Sequence, residues 1–235
     1  MELILFKKPK NPIIIEGFPG FGLVGTIATE YLINHLDTEL IGKIYNDENP
    51  AMVAIHDNKV VEPLGIYYNK KYNLVILHAI TAIAGIEWKL AGQMNELAKV
   101  LGAKEIISIE GVGGNEEVIK PNIFCYASNQ KNMKKMVSID IKPLKEGIIL
   151  GVTGALLLKS DIPLTCIFAE TISNLPDSNA AARTLEAIDK YLNLNVDVKP
   201  LLKQAEEFEQ KLKTIISKSK DAQDISEKKK MSYVG

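Results

Sequence analysis

The sequence predicts an α/β fold with three layers, in which helices cover both faces of a mostly parallel β-sheet. Short, nearly continuous apolar runs rich in Ile and Val alternate with segments of helical periodicity. Strands that are buried on both faces of a parallel sheet have this composition. With 235 residues, of which 46% are hydrophobic and 24% charged, the chain has an ordinary globular balance and enough length to bury its own core.

The first half of the chain contains five strand candidates and two helix candidates. The strands are "NPIIIE", "ELIGKIY", "AMVAIHD", "LGIYYN" and "YNLVILHAI". Helical periodicity covers residues 22–36 and 87–101. Gly102 follows the second helix in the position of a C-terminal cap, where the left-handed conformation favours glycine.

The second half continues the alternation. "KEIISIE", "NIFCYAS" and "IPLTCIFAE" are predicted strands, and residues 131–137 and "GVTGALLLK" are predicted helices. The run "PDSNAAARTLEAIDKYLNL" is a well-marked helix. It is opened by Pro176, Asp177 or Ser178, residue types that favour the first positions of a helix.

We expect three parts along the chain: an α/β domain at residues 1–198, an amphipathic helix at 199–217 and a flexible tail at 218–235. Apolar residues recur in the helix at spacings of four, three, four and three: Leu201, Ala205, Phe208, Leu212 and Ile215. This is a coiled-coil seam of about two heptads. The helix therefore packs either on its own domain or on a neighbouring subunit. The tail "SKSKDAQDISEKKKMSYVG", counted from Ser217, is polar and rich in lysine, which is typical of a flexible segment.

Charge and cysteine content exclude several classes. A formal net charge of −1 argues against non-specific binding to nucleic acid or to an anionic membrane. Cys125 and Cys166 stand in apolar surroundings without a C-x-x-C spacing, so we interpret them as small buried hydrophobes in a reducing compartment. The apolar run in the start "MELILFKKPKNP" is too short for a signal peptide, and we expect a cytoplasmic protein.

A glycine-rich loop follows the first strand candidate and contains G-x-G-x-x-G. Its glycines are Gly17, Gly20, Gly22 and Gly25. In a dinucleotide-binding loop the first glycine of the motif stands at the turn that leaves the strand, whereas here three residues separate Glu16 from Gly20, the first glycine of the motif. Pro19 removes a backbone N–H that a phosphate would need. We therefore interpret the four glycines as a structural turn, with Phe18 and Phe21 as packing anchors or a subunit contact.

Four titratable residues end predicted strands: Glu16, His78, Glu110 and Glu170. The carboxyl ends of parallel strands meet at one edge of a sheet, where ligands bind. Neighbouring carboxylates there would raise each other's pKa or bind a metal. The alternative is that each glutamate accepts hydrogen bonds from its own turn or from a neighbouring helix start.

Several segments, in this order, resemble the proteasome assembly chaperone two family in its archaeal branch. They are "EGFPGFGLVGTIATEYLI" (16–33), "EGVGG" (110–114), "GVTGALLL" (151–158), "PLTCIFAET" (163–171) and "PDSNAAARTLEAI" (176–188). The resemblance implies a three-layer fold similar to purine nucleoside phosphorylases and related hydrolase-like folds, with no enzyme activity, catalytic residue, cofactor or metal. It also implies homo-oligomers that engage the 20S proteasome as assembly factors or activator-like partners.

Partners of this kind often end in a hydrophobic residue, a tyrosine and any residue, which enter pockets between proteasome α subunits. The corresponding residues here are Met231, Tyr233, Val234 and Gly235 with its carboxylate. Tyr233 is third from the end of the sequence, and Ser232 stands at its hydrophobic neighbour's position. A flexible tether on an oligomer would still raise the effective concentration of several such tails.

Three functional hypotheses follow. The first is an oligomeric, non-catalytic chaperone-like protein that contacts the 20S proteasome α subunits, or a related complex, through its C-terminal tail. The second is a small-molecule enzyme of the nucleoside phosphorylase or hydrolase type that uses the strand-end carboxylates. The third is a scaffold that pairs with another family member.

Overall fold

The computed structural model describes residues 1–46, 54–56, 58–80, 85–114, 121–171 and 175–203. The chain divides into two compact units, Met1–Val196 and Asp197–Gly235. In the second unit, residues 199–203 are helical. The rest of the predicted helix and the whole predicted tail lie outside the described residues, so both stay predictions.

The first unit contains eleven strands and five helices in its described part. The strands are β1 (Glu2–Leu5), β2 (Ile13–Gly17), β3 (Thr38–Tyr45), β4 (Ala54–His56), β5 (Lys59–Val61), β6 (Leu64–Asn69), β7 (Leu74–Ala79), β8 (Glu105–Gly113), β9 (Ile123–Ala127), β10 (Lys142–Pro143) and β11 (Leu164–Thr171). The helices are α1 (Val24–His35), α2 (Glu87–Leu101), α3 (Gln130–Ser138), α4 (Gly151–Lys159) and α5 (Ser178–Leu192).

Nine strands form one sheet in the order β1-β3-β6-β7-β2-β8-β11-β9-β10, and β4 and β5 form a separate hairpin. The neighbours β7-β2-β8-β11 pair in parallel, and so do β9 and β10. The pairings β1-β3, β3-β6, β6-β7 and β9-β11 are antiparallel. The sheet is therefore mixed, and the prediction of a mostly parallel sheet is corrected. Strands β6 and β7 are joined by a short turn, and without a helical crossover such neighbours pair antiparallel.

Strand β1 was not expected from the sequence. It lies at the edge of the sheet and pairs with β3, with Ile4 opposite Lys43. Gly42 makes this close approach possible, because a Cβ at that position would lie 2.4 Å from the carbonyl oxygen of Ile4. The sequence indicates strand β1 only by the four-residue run "ELIL", which is too short to be distinguished from a loop.

Helices cover both faces of the sheet, as predicted. Helices α1 and α5 pack together on one face, and α2 and α4 pack together on the other. The α2–α4 side contains a continuous hydrophobic core: Ile14, Val75, Leu77, Leu90, Met94, Ile106, Leu156, Cys166 and Phe168. Since side chains alternate along a strand, Ile15 between Ile14 and Glu16 points to the α1–α5 side.

The helix boundaries follow the expected signals with one exception. Gly102 takes the left-handed conformation (φ 63°) after α2, and its N–H bonds the carbonyls of Ala98 and Lys99, which confirms the predicted cap. Asp177 caps α5, because its side chain accepts the N–H of Ala180 at 2.8 Å. Helix α1 begins at Val24 and not at residue 22.

The late start of α1 has a local cause, since Gly22 (φ 64°) and Leu23 (φ 50°) are both left-handed.

Both cysteines are buried and free, as the sequence predicted. Among the described residues, no helix is long and apolar enough to cross a membrane.

Candidate functional site

The glycine loop between β2 and α1 packs directly on protein atoms. A Cβ at Gly17 would lie 2.1 Å from the carbonyl oxygen of Gly25, and one at Gly25 would lie 2.8 Å from that of Ile109. A Cβ at Gly20 would lie 2.1 Å from Oε1 of Glu110, and Gly22 needs its positive φ. Each glycine thus permits a conformation or an approach of the chain to itself that a side chain would block.

The carboxylate of Glu110 packs directly against the glycine loop, next to Gly20. Its carboxylate accepts backbone hydrogen bonds from Phe21 in the loop and from Gly111 in β8. Thr153 of α4 donates to its Oε2 at 3.1 Å. Burial raises the pKa of Glu110 to about 7, while these three hydrogen bonds oppose the rise. Because the loop already binds a carboxylate of its own chain, a phosphate there would meet like charge.

Glu16 lies beside this group and is completely buried. Its Oε1 shares a hydrogen bond with Oγ of Ser108, while its Oε2 has no partner in the described structure. Oγ of Ser108 is 2.8 Å from Oγ1 of Thr153. Burial raises the pKa of Glu16 well above its ordinary value; the bond to Ser108 opposes this and the charge of Glu110 adds to it.

The four side chains form a chain of contacts from Glu16 through Ser108 and Thr153 to Glu110. Each contact needs a hydrogen, and the two hydroxyl groups supply only two. If Ser108 donated to an ionised Glu16 and Thr153 donated to Glu110, the Ser108–Thr153 contact would set two lone pairs face to face. A proton on Glu16 removes this conflict, and the negative charge then resides on Glu110, which has the backbone donors.

His78 lies apart from these carboxylates. It faces the α1 side of the sheet, where its Nδ1 is 2.9 Å from Oγ1 of Thr29. Burial lowers the pKa of His78 to about 4, so the imidazole is neutral at physiological pH. In register it is opposite Gly17, whereas Leu77 is opposite Glu16, and this offset of one residue places the imidazole on the other face.

Glu170 also lies outside the cluster. It accepts the side-chain amide of Asn122 at 2.7 Å and pairs in register with Val112, two residues beyond Glu110 along β8. It borders a cavity of about 620 Å³ whose lining is apolar with charges of both signs: Val112, Gly113, Phe124, Leu144, Lys145, Glu146, Gly147, Ile148 and Glu170. The structure therefore joins Glu16 and Glu110 and separates them from His78 and Glu170.

Ser108 and Thr153 are the cluster members that sequence reasoning missed. Ser108 stands two residues before Glu110, so both side chains leave the same face of β8. Thr153 is the one polar residue in the run "GVTGALLL". A polar residue within an otherwise apolar helix was the signal that could have identified it.

The cluster is suited to holding the molecule together. It ties β2, β8, α4 and the glycine loop through three buried side chains, those of Glu16, Ser108 and Thr153, and the partly buried Glu110. Glu16 cannot reach a bound molecule without local opening, and the acceptor positions of Glu110 are used by Phe21, Gly111 and Thr153. Among the described residues, no three His, Cys, Asp or Glu side chains are grouped as a metal site.

The two aromatic residues of the loop differ. Phe18 is buried in the hydrophobic core, which makes it a packing anchor. Phe21 is 39% exposed, and the contact it makes with β8 is through its main chain. Its carbonyl oxygen would lie 2.0 Å from a Cβ at Gly111.

Comparison with known proteins gives a consistent result. The profile of the PAC2 family matches residues 14–216. PbaA of Pyrococcus furiosus, described as an archaeal homolog of proteasome-assembly chaperone, is 31% identical with a TM-score of 0.85, and the match covers 97% of this chain and 96% of that chain. PbaB of the same organism, described as an archaeal proteasome activator, is 25% identical with a TM-score of 0.79, and the match covers 91% and 98%.

A curated relative from Methanocaldococcus jannaschii is 28% identical over 228 residues, which is 96% of this chain and 94% of that protein. The similarity therefore extends over nearly the whole chain. It confirms the resemblance and the α/β architecture that the sequence predicted.

Proposed function

Because the chain belongs to the PAC2 family, we propose that it is a non-catalytic, oligomeric protein of the proteasome-assembly-chaperone type that binds the 20S proteasome or a related complex. The observation that carries the proposal is the similarity to PbaA along both chains at 31% identity. The net charge of −1 favours a protein partner over nucleic acid or an anionic membrane. The proposed location is the cytoplasm, and no cofactor is assigned.

The contact with the proteasome is assigned to the C-terminal tail. Met231, Tyr233, Val234 and Gly235 would enter the pockets between α subunits, and these residues lie outside the described part of the chain. The physical support is tethering: in an oligomer, binding of one tail makes the binding of the next an intramolecular event. Avidity can then exceed the affinity of one tail by roughly 10²–10⁴-fold.

Co-purification with 20S particles tests both levels of the proposal. The full chain should retain 20S particles on an affinity column, a chain lacking residues 231–235 should lose them, and Tyr233→Ala should weaken retention. Ser219→Ala, in the same segment, is the matched control and should behave as the wild type. Unchanged retention after the deletion would refute the tail mechanism, and no retention by the full chain would refute proteasome binding.

Native mass measurement, alone and with 20S particles, separates this function from the scaffold hypothesis. A complex of defined mass with 20S particles supports the proposal. A complex formed only with another PAC2 protein would support the scaffold instead.

A further inference from the structure

Helix α4 is apolar on the side that faces away from the sheet. Its polar residue within the run "GVTGALLL", Thr153, is buried against Ser108 and Glu110, whereas Leu158 is 77% exposed. Leu150 and Ile148, just before the helix, are 75% and 89% exposed. A solvent-facing helix of a globular protein has the opposite arrangement, with its polar residues outside.

Helix α5 on the other face shows that this inversion is not general in the molecule. Its inward residues, such as Leu185 and Ile188, are buried. Its outward side carries the Arg183–Glu186 ion pair and the exposed Lys190. Helix α5 therefore does not share the arrangement of α4.

An exposed aromatic side chain of α2 lies near the C-terminal end of α4. Nζ of Lys159, at the end of α4, lies 5.6 Å from the ring centre of Trp88, and Trp88 is 53% exposed. We name the surface formed by Trp88, Ile148, Leu150 and Leu158 the α4 face. Between its leucines the helix carries Gly151, which is exposed, and Gly154, which is partly buried, so neither position adds a polar side chain to the face.

We propose that the α4 face binds a second copy of this chain, with the two α4 helices antiparallel about a two-fold axis. The proposal rests on the homo-oligomeric part of the proposed function and is independent of proteasome binding. A two-fold contact uses the same surface on both subunits, so one apolar face is sufficient to build it.

The size of the α4 face fits this occupant. Four large apolar side chains at these exposures present on the order of 500 Å², whereas the largest apolar patch on a monomer is typically about 300–600 Å² and often functional. A stable interface buries about 800 Å² on each partner, and a polar rim supplies part of it. The flanking charged residues provide such a rim.

The charges at the two ends of the face are complementary in the antiparallel arrangement. Glu146 is exposed just before the helix and Lys159 is exposed at its end. Antiparallel packing brings Lys159 towards Glu146 of the partner subunit, twice in each dimer. Opposite charges at a rim fix orientation and register more than they add affinity.

Mass measurement by light scattering on the full chain tests the location of the contact. The wild type should be at least dimeric, and Leu158→Glu should weaken association on the order of 100-fold, because each copy loses a buried leucine and gains a charge. Val137→Glu, at a half-exposed position of α3, is the matched control and should keep the wild-type mass. A monomeric wild type, or an unchanged mass for Leu158→Glu, would overturn the proposal.

Charge reversal tests the antiparallel geometry. Lys159→Glu alone should weaken association, and so should Glu146→Lys alone. Each of the two Lys159–Glu146 contacts in a dimer should account for a factor of about 2 to 5. The double variant should recover wild-type association, because each pair is then reversed as a unit. Failure of the double variant to recover would overturn the two-fold antiparallel arrangement.

Trp88 is the single tryptophan of the chain and reports directly on the face. On assembly its emission should shift to the blue and its quenching by iodide should fall, and both changes should disappear on dilution. Protection that does not depend on concentration would mean that residues 204–235 of the same chain cover the face, which would overturn the proposal.

The oligomeric state of the wild type, measured together with its retention of 20S particles, separates the two proposals. If the wild type assembles through the α4 face but retains no 20S particles, proteasome binding is refuted and the α4 contact stands. If the wild type retains 20S particles as a monomer, the α4 contact is refuted and proteasome binding stands.

Discussion

Glu110 lies where a side chain at Gly20 would have to be: a Cβ on Gly20 would be 2.1 Å from Oε1 of the carboxylate. The glycine loop is therefore shaped around an anion that belongs to the protein itself. Backbone hydrogen bonds from Phe21 and Gly111 complete the contact. A loop that resembles a phosphate-binding motif in sequence thus serves to attach β2 and α1 to β8.

Gly20→Ala should destabilise the fold by about 1–2 kcal/mol, because the methyl group displaces the carboxylate of Glu110 from its hydrogen bonds to Phe21, Gly111 and Thr153. Urea unfolding measures the change. Gly92→Ala is the control, since a Cβ there meets nothing within 4 Å, and alanine within a helix should stabilise by about 0.5–1 kcal/mol. In a double-mutant cycle, Glu110→Ala should relieve part of the Gly20→Ala cost; strict additivity would contradict the contact.

Thr153→Val should cost about 1–3 kcal/mol, because it removes a hydrogen-bond partner from the buried Ser108 and from the partly buried carboxylate of Glu110. Thr153→Ser keeps the hydroxyl group and should recover most of that loss. Chemical denaturation of the two variants at one pH is sufficient. Equal stability of the valine and serine variants would show that the hydroxyl group does not link the two residues.

The sequence predicts the helical parts of this arrangement better than its sheet. The end of α2 at Gly102 and the cap of α5 at Asp177 depend on local chemistry that a short window contains. The order of strands depends on contacts between distant segments. For that reason the antiparallel partners of β7 and β11 and the edge strand β1 could not be predicted from single apolar runs.

The same limit explains the predicted group of four strand-end residues. Three of them stand one residue before a strand end, as predicted: Glu16, His78 and Glu170. Glu110 does not end its strand, because β8 continues to Gly113. Whether two of them share a face depends on register between strands, and one residue of offset places His78 opposite Gly17 instead of Glu16. The pairing of Glu16 with Ser108 is what brings its carboxyl group towards Thr153 and Glu110.

The alternative of a nucleoside-processing enzyme predicts ligand stabilisation that we do not expect. A ligand at 100 times its Kd contributes about 2.7 kcal/mol, which corresponds to roughly 5–10 °C in the unfolding temperature of a domain of this size. Nucleosides, phosphate and divalent metals should each shift the unfolding temperature by less than about 1 °C. A larger shift that is lost in Glu170→Ala would revive the enzyme hypothesis at the cavity beside Glu170.

Glu16→Gln should make stability less dependent on pH. The pKa of Glu16 is raised in the folded state, so its contribution is fully present below the unfolded pKa and is lost as pH rises towards the folded value. The wild type should therefore lose about 1.4 kcal/mol per pH unit from this group in that window. The glutamine variant, which resembles the protonated acid, should not.

Urea unfolding between pH 5 and pH 8 measures this difference in slope. Glu30→Gln, at an exposed position of α1, is the control and should follow the wild type. A parallel pH dependence for Glu16→Gln and the wild type would show that Glu16 is ionised in the folded protein.

His78→Asn should change the pH dependence of the free energy of unfolding in the direction opposite to Glu16→Gln. Burial lowers the pKa of His78 from 6.5 to about 4, so the unfolded chain binds a proton there that the folded chain does not. This contribution to stability is present above pH 6.5 and is lost as the pH falls towards 4, by up to about 3 kcal/mol. Asparagine can keep a hydrogen bond to Thr29 and has no proton to bind, so the variant should lack this fall.

Imidazole ¹⁵N chemical shifts give an independent measurement on the wild type. The shifts of His78 should stay constant from pH 8 to pH 5, because a buried neutral ring bonded to Thr29 does not titrate there. A midpoint near 6.5 would contradict the burial of His78 against α1. Glu16 and His78 both affect stability between about pH 4.5 and pH 6.5, so their opposite contributions overlap in the wild type, and the pair of variants separates them.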